Sequence, residues 1–130
     1  MSQEHVELTH RAYDAFNRRD AAAFLELMDA DVEALSRLAA MEGGYHGHDG
    51  VRAYFAEVAD VWDELRPYSE TVETIGSDVV VFGGCAVRGR GSRLESDTPM
   101  AWVVTVQGGK ITSHRGYRTS DEALEAAGSQ

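Results

Sequence analysis

A single cysteine, Cys85, stands among the 130 residues, so the chain can form no internal disulfide, and a reducing, cytoplasmic setting is expected. Basic residues are also scarce: 12 Lys and Arg face 22 Asp and Glu, for a net charge of −10. That balance repels phosphate backbones, and no Lys/Arg block offsets it, so nucleic-acid binding is not expected. Long apolar runs are missing as well. No stretch reaches the roughly 18 apolar residues of a membrane helix. The opening Met1-Ser2-Gln3-Glu4-His5 lacks the basic-then-apolar pattern of a signal peptide. A chain of this length fits one domain, residues 1–130, which should bury roughly two-thirds of its unfolded surface without a staple or structural metal.

What the chain does have is a change of period. Residues 2–17 read as a helix with Leu8, Ala12 and Ala15 in one row and Val6, Tyr13 and Phe16 beside them; Ser2 is a plausible cap. The polar run Asn17-Arg18-Arg19-Asp20 interrupts it. Asp20 then caps a shorter helix, Ala21 to Met28, which completes a helical hairpin. A weakly alternating stretch, 31–36, reads as a strand, and glycines 43, 44, 47 and 50 mark a loop. Val51, Tyr54, Phe55, Val58, Trp62 and Leu65 form an apolar stripe at helical spacing, with Asp49 as N-cap and Pro67 as terminator.

After Pro67 the period becomes two. Strands are expected at about 68–75, 78–88, 95–107 and 110–118, with Gly76-Ser77-Asp78 and Gly108-Gly109 as tight connections and 89–93 as a looser tip. Strands joined so closely must run antiparallel. Thr119 and Glu122 then fit a capping box for a last helix through Ala127, closed by Gly128. The order indicates an α+β domain with its helices on one sheet face.

The runs Arg11-Ala12-Tyr13-Asp14-Ala15-Phe16-Asn17-Arg18-Arg19-Asp20, Gly47-His48-Asp49-Gly50-Val51-Arg52-Ala53-Tyr54-Phe55 and Gly109-Lys110-Ile111 resemble the SnoaL-like branch of the nuclear transport factor 2-like superfamily. The resemblance implies a cone-shaped, mostly antiparallel curved sheet around the long helix and a pocket between them. It also implies homodimers formed through the sheet's outer face. It does not choose an activity, because the superfamily spans cofactor-independent isomerases, cyclases and dehydratases as well as ligand-free assembly domains. In members resembling ketosteroid isomerase, the tyrosine's place falls at Ala12. Tyr13 is one residue on, a rotation of about 100°. The base falls near Ser36 and the second acid near Met100 or Ala101, so that chemistry is disfavoured. Members resembling polyketide cyclases carry an acid on the last strand, where this chain reads His114-Arg115-Gly116-Tyr117.

His114 is the remaining candidate for acid–base work, since an unperturbed imidazole titrates near 6.5. Tyr117 or Arg115 would orient a carbonyl. Strand parity decides whether Ser113, Arg115 and Tyr117 or His114 and Gly116 face inward, and one bulge reverses the answer. Tyr13, Phe16, Tyr45, Phe55, Trp62, Met100 and Trp102 are expected around the cavity, which would take a small apolar molecule. His46-Gly47-His48-Asp49 offers zinc- or iron-type ligands without a third partner at convincing spacing, so no metal and no cofactor are expected. Cys85 reads as a packed apolar side chain. The readings left open are an acid–base enzyme, a non-catalytic binding domain and a dimerisation module.

Overall fold

The computed structural model of the protein describes residues 2–35 and 45–127. Ser36, Gly43, Gly44 and Gly128, which the sequence places in a strand end, a loop and a helix stop, lie outside the described residues. The elements run α1 (Ser2–Asn17), α2 (Ala21–Glu26), β1 (Met28–Leu35), β2 (Tyr45–His46), α3 (Gly47–Val61), β3 (Trp62–Ile75), β4 (Asp78–Gly89), β5 (Ser96–Gln107), β6 (Lys110–Tyr117) and α4 (Ser120–Ala126). They build an α+β fold on one open, curved sheet of order β2-β1-β6-β5-β4-β3. All neighbouring strands are antiparallel except β1 and β6.

The apolar row of α1 is buried as its periodicity requires, with Ala12, Ala15 and Phe16 all under 7% exposed. The helix ends in a Schellman arrangement. The amide of Arg19 donates to Phe16 O and that of Asp20 to Ala15 O, both at 2.9 Å, with Arg19 in the left-handed region at φ 58. Asp20 caps α2 by accepting from the Ala23 amide at 3.1 Å. The second helix is shorter than its apolar pattern suggests. It stops at Glu26 because Met28 enters the ladder opposite Ile111, whose amide donates to Leu27 O at 2.9 Å.

The larger correction concerns α3. Its first residue is Gly47, preceded by His46 with no side-chain cap; Asp49 lies in the first turn and pairs with Arg52 at 2.8 Å. The helix ends at Val61, so Trp62 and Leu65 continue the apolar stripe from inside β3. The hairpin tip takes over the helix's last carbonyls, as the Arg90 amide donates to Val61 O and its Nη1 to Ala59 O. Pro67 therefore terminates nothing. It sits in β3 opposite Cys85, and β3 is an edge strand, where a missing amide is tolerated.

Register shifts after Trp62 and after Ser69 bend β3 over its partner. At the second bend a Cβ on Gly83 would stand 2.0 Å from Tyr68 O, so only glycine admits that approach. The concave face carries Val79, Val81, Trp102, Val104 and Ile111, which pack against α1 and α3 through Phe16, Val51 and Val58. Each such side chain, fully buried, contributes roughly 1.5–3 kcal/mol. The convex face is not bare, and the helices are not all on one side. Ala123 and Ala127 of the C-terminal segment seat on Val80, Ala101 and Val103. Thr119 caps α4 by accepting from the Glu122 amide at 3.1 Å. No helix among the described residues is long and apolar enough to cross a membrane.

Candidate functional site

The last two strands settle which side chains look inward. Val104 is opposite His114 and Trp102 opposite Gly116. Since Val104 and Trp102 belong to the concave core, His114 and Gly116 face it too. Arg115 and Tyr117 point the other way, opposite Val103 and Ala101 on the convex face. The grouping of His114 with Tyr117 or Arg115 around one carbonyl is thus overturned. The deciding feature is a bulge: Val106 pairs with Ile111 and Thr105 with Ser113, which leaves Thr112 unmatched. The Thr112 hydroxyl steadies the irregularity by donating to Thr105 O at 3.3 Å.

A cavity of about 70 Å³ lies between the concave face and the helices. It is smaller than the roughly 300–1,000 Å³ of sites for drug-sized ligands. Tyr13 and Phe16 enter it from α1, Tyr45 from β2, Trp102 from β5 and His114 from β6. Phe24, Tyr54, Ala34, Leu65, Pro67 and Cys85 complete much of the wall, and none was expected there. Tyr54 and Leu65 belonged to a visible apolar stripe; the others carry no sequence signal that separates lining from core.

Three residues expected at the wall stand elsewhere. Phe55 packs behind it, with its ring 5.2 Å from Phe16 and 5.3 Å from Phe24. Trp62 caps the end of α3, because the helix stops at Val61, before the last two members of the stripe. Met100 is buried beside Gly116, where its Cε would lie 3.3 Å from an added Cβ. Methionine and the Trp102 indole therefore occupy the room that a side chain at position 116 would need.

The polar centre of the cavity is a pair separated widely in sequence. Tyr13 Oη and His114 Nε2 are 3.3 Å apart. Trp102 boxes the pair in, with its ring edge-on to Tyr13 at 5.6 Å and stacked near His114 at 6.5 Å. His114 keeps part of its surface accessible, yet its surroundings are apolar, and loss of water around the ring pushes its pKa down to about 4. Burial holds the Tyr13 phenol well above its ordinary value. At neutral pH both partners are therefore uncharged. Burial also pushes the Cys85 thiol up to about 11, so it serves as apolar wall. The Tyr45 hydroxyl is buried and turned toward the Glu57 carboxylate. Burial and the Glu57 carboxylate hold its pKa above the ordinary range.

The sequence-level metal candidates have other duties. His48 Nε2 lies 3.2 Å from Met28 O, and Asp49 holds Arg52. Among the described residues no three His, Cys, Asp or Glu side chains converge.

The family model for the SnoaL-like domain matches residues 9–114, from the middle of α1 to the inward-facing histidine. The chain belongs to the SnoaL-like domain family. Solved structures agree on the fold of this SnoaL-like protein. A nuclear transport factor 2-like protein of unknown function from Burkholderia pseudomallei superposes with a TM-score of 0.80 at 22% identity, covering 94% of this chain and 95% of its own. TerC, co-crystallized with polyporic acid, gives 0.77 at 25% identity over 94% and 96%. A putative SnoaL-like polyketide cyclase from Shewanella denitrificans gives 0.72 at 16% identity over 93% and 96%. No curated protein matches the chain. Within this SnoaL-like domain, Ala12 is packed in the core at 2% exposure, and Tyr13, with Phe16, is what α1 presents to the cavity.

Proposed function

We propose that this SnoaL-like domain binds a small, largely apolar molecule in its cavity and holds one ligand carbonyl or hydroxyl at the Tyr13–His114 pair. The observation that carries the reading is the pair itself, an uncharged phenol–imidazole contact in an otherwise aromatic and aliphatic cavity. A buried polar group is costly when unpaired, so a ligand that matches it is favoured over one that does not. If Nε2 carries the proton, it donates to the phenol oxygen and leaves the phenol O–H free for a ligand carbonyl. If Nε2 is bare, the phenol donates to it and its oxygen can accept from a ligand hydroxyl.

The test uses acetophenone and its oxygen-free analogue ethylbenzene, followed by protein NMR at Trp102 and Ile111. Both should move those resonances, with acetophenone binding more tightly, and Tyr13→Phe should remove the difference. Unmoved cavity resonances with both compounds would overturn the reading.

A second reading, cofactor-independent proton transfer, is favoured by the same contact. An imidazole held neutral is a fully available base, and a phenol held protonated is an available donor. A base with a pKa near 4–5 can serve when the developing oxyanion is well held. In that reading the phenol turns its O–H from Nε2 to the ligand carbonyl oxygen, and the freed Nε2 takes a proton from the carbon beside that carbonyl. Deuterium exchange into the acetophenone methyl, faster with wild type than with His114→Gln, would support an isomerase, cyclase or dehydratase. Equal rates would leave the binding reading alone. The resemblance also supports a homodimer through the convex face, with the partner seated beside α4; sedimentation as a monomer would overturn that arrangement.

A further inference from the structure

Arg19 stands where a helix usually ends in glycine. It is the residue after the α1 C-cap region, at φ 58, and the only described non-glycine residue in the left-handed region. A side chain with a Cβ is disfavoured there, so the local backbone gives no reason for arginine. The side chain does. It folds back over the Phe16 ring, 4.7 Å from its centroid, and donates through Nη1 to Phe16 O at 2.8 Å and through Nη2 to Leu65 O at 2.5 Å.

Phe16 and Leu65 both line the cavity. Arg19 itself is exposed to solvent. The guanidinium thus lies against two cavity-lining residues from outside the lining itself, with its other side open to water. No carboxylate neutralises it among the described residues, because the adjacent Asp20 is turned away to cap α2. Its two carbonyl bonds use two of five N–H donors, and the rest remain for a guest.

Building on the proposed apolar-ligand site, we infer that Arg19 is a specificity residue at the cavity rim, which selects ligands bearing an anionic group such as a carboxylate. Tyr13, Phe16 and Arg19 follow one another at three-residue steps along α1 and its end. The Cα atoms of Tyr13 and Arg19 are therefore roughly 9 Å apart along the helix axis, while the Arg19 head folds back to the level of Phe16. The ligand class is an aromatic or alicyclic body with a hydrogen-bonding oxygen at one end and an acid at the other. In a chain of net charge −10, an acid is repelled at long range, so a local cation at the rim is what would admit it.

The experiment compares 3-phenylpropanoate with its neutral analogue 3-phenylpropanamide by NMR titration at pH 7 and low salt. Wild type should bind the acid about fivefold more tightly, the scale of a partly exposed ion pair. The ratio should fall to about one in Arg19→Gln and persist in Arg19→Lys, and added salt should erode it in wild type. A purely structural arginine would alter melting or both affinities together and leave the ratio unchanged. If the amide binds and the ratio is near one, or survives in Arg19→Gln, the rim role is wrong and the cavity reading stands. If neither compound binds, both readings fall.

Discussion

The phenol oxygen of Tyr13 meets Nε2 of His114 at 3.3 Å across 101 residues of sequence. The contact joins the first helix to the last strand. Replacing Tyr13 by Phe keeps the ring and removes the bond, so stability should fall by about 1 kcal/mol in urea unfolding. A Tyr13→Phe protein as stable as wild type would mean that the two groups are not bonded in solution.

The imidazole gives stability a pH dependence of definite sign. His114 titrates near 4 when folded and near 6.5 when unfolded, so between those values the unfolded chain binds more protons. Its contribution is intact above pH 6.5, is lost progressively as pH falls, and levels off below about 4. The shift corresponds to an upper bound of about 3 kcal/mol. Urea midpoints at pH 7, 6 and 5 should fall for wild type and fall less for His114→Gln. Parallel declines in the two proteins would assign the loss to other groups.

Two glycines of β4 and β6 should respond differently to alanine. At Gly83 the new Cβ meets the Tyr68 carbonyl oxygen at 2.0 Å, a backbone atom that cannot step aside without breaking the bend. At Gly116 it meets Met100 Cε at 3.3 Å, the end of a flexible side chain. Gly83→Ala should lose several kcal/mol or fail to fold, in line with severe overpacking, whereas Gly116→Ala should cost about 1 kcal/mol. Thermal melts rank the pair. The reverse order would contradict the tight approach of β3 to β4.

Pro67 offers a test of the helix boundary. Pro67→Ala should leave helical ellipticity at 222 nm unchanged, since α3 already ends at Val61. It should raise self-association, because an edge amide is restored on β3. A gain in helix signal would place the boundary back at residue 66.

The four-stranded meander, the opening hairpin and the capped last helix were legible because each rests on local rules: period-two alternation, glycine turns, and Asp20 and Thr119 as caps. The end of α3 was not, since Trp62 and Leu65 extend a helical spacing by coincidence while the ladder with β4 claims them. Candidate chemistry failed for another reason. Residue types named Tyr13 and His114 separately, but only the unmatched Thr112 decides that His114, and not Arg115, looks inward. Arg19 was passed over as part of a polar break, because a helix-ending conformation is silent about where a long side chain goes.

The short helix on the far side of the sheet has a consequence for traffic. With Ala123 and Ala127 wedged against Val80, Ala101 and Val103, that stretch of the wall is braced from behind. Under the proposed binding reading, guest exchange would fall to breathing of the α1–α2 hairpin, whose Phe16 and Phe24 form the opposite wall, and residence time would follow how firmly that hairpin latches.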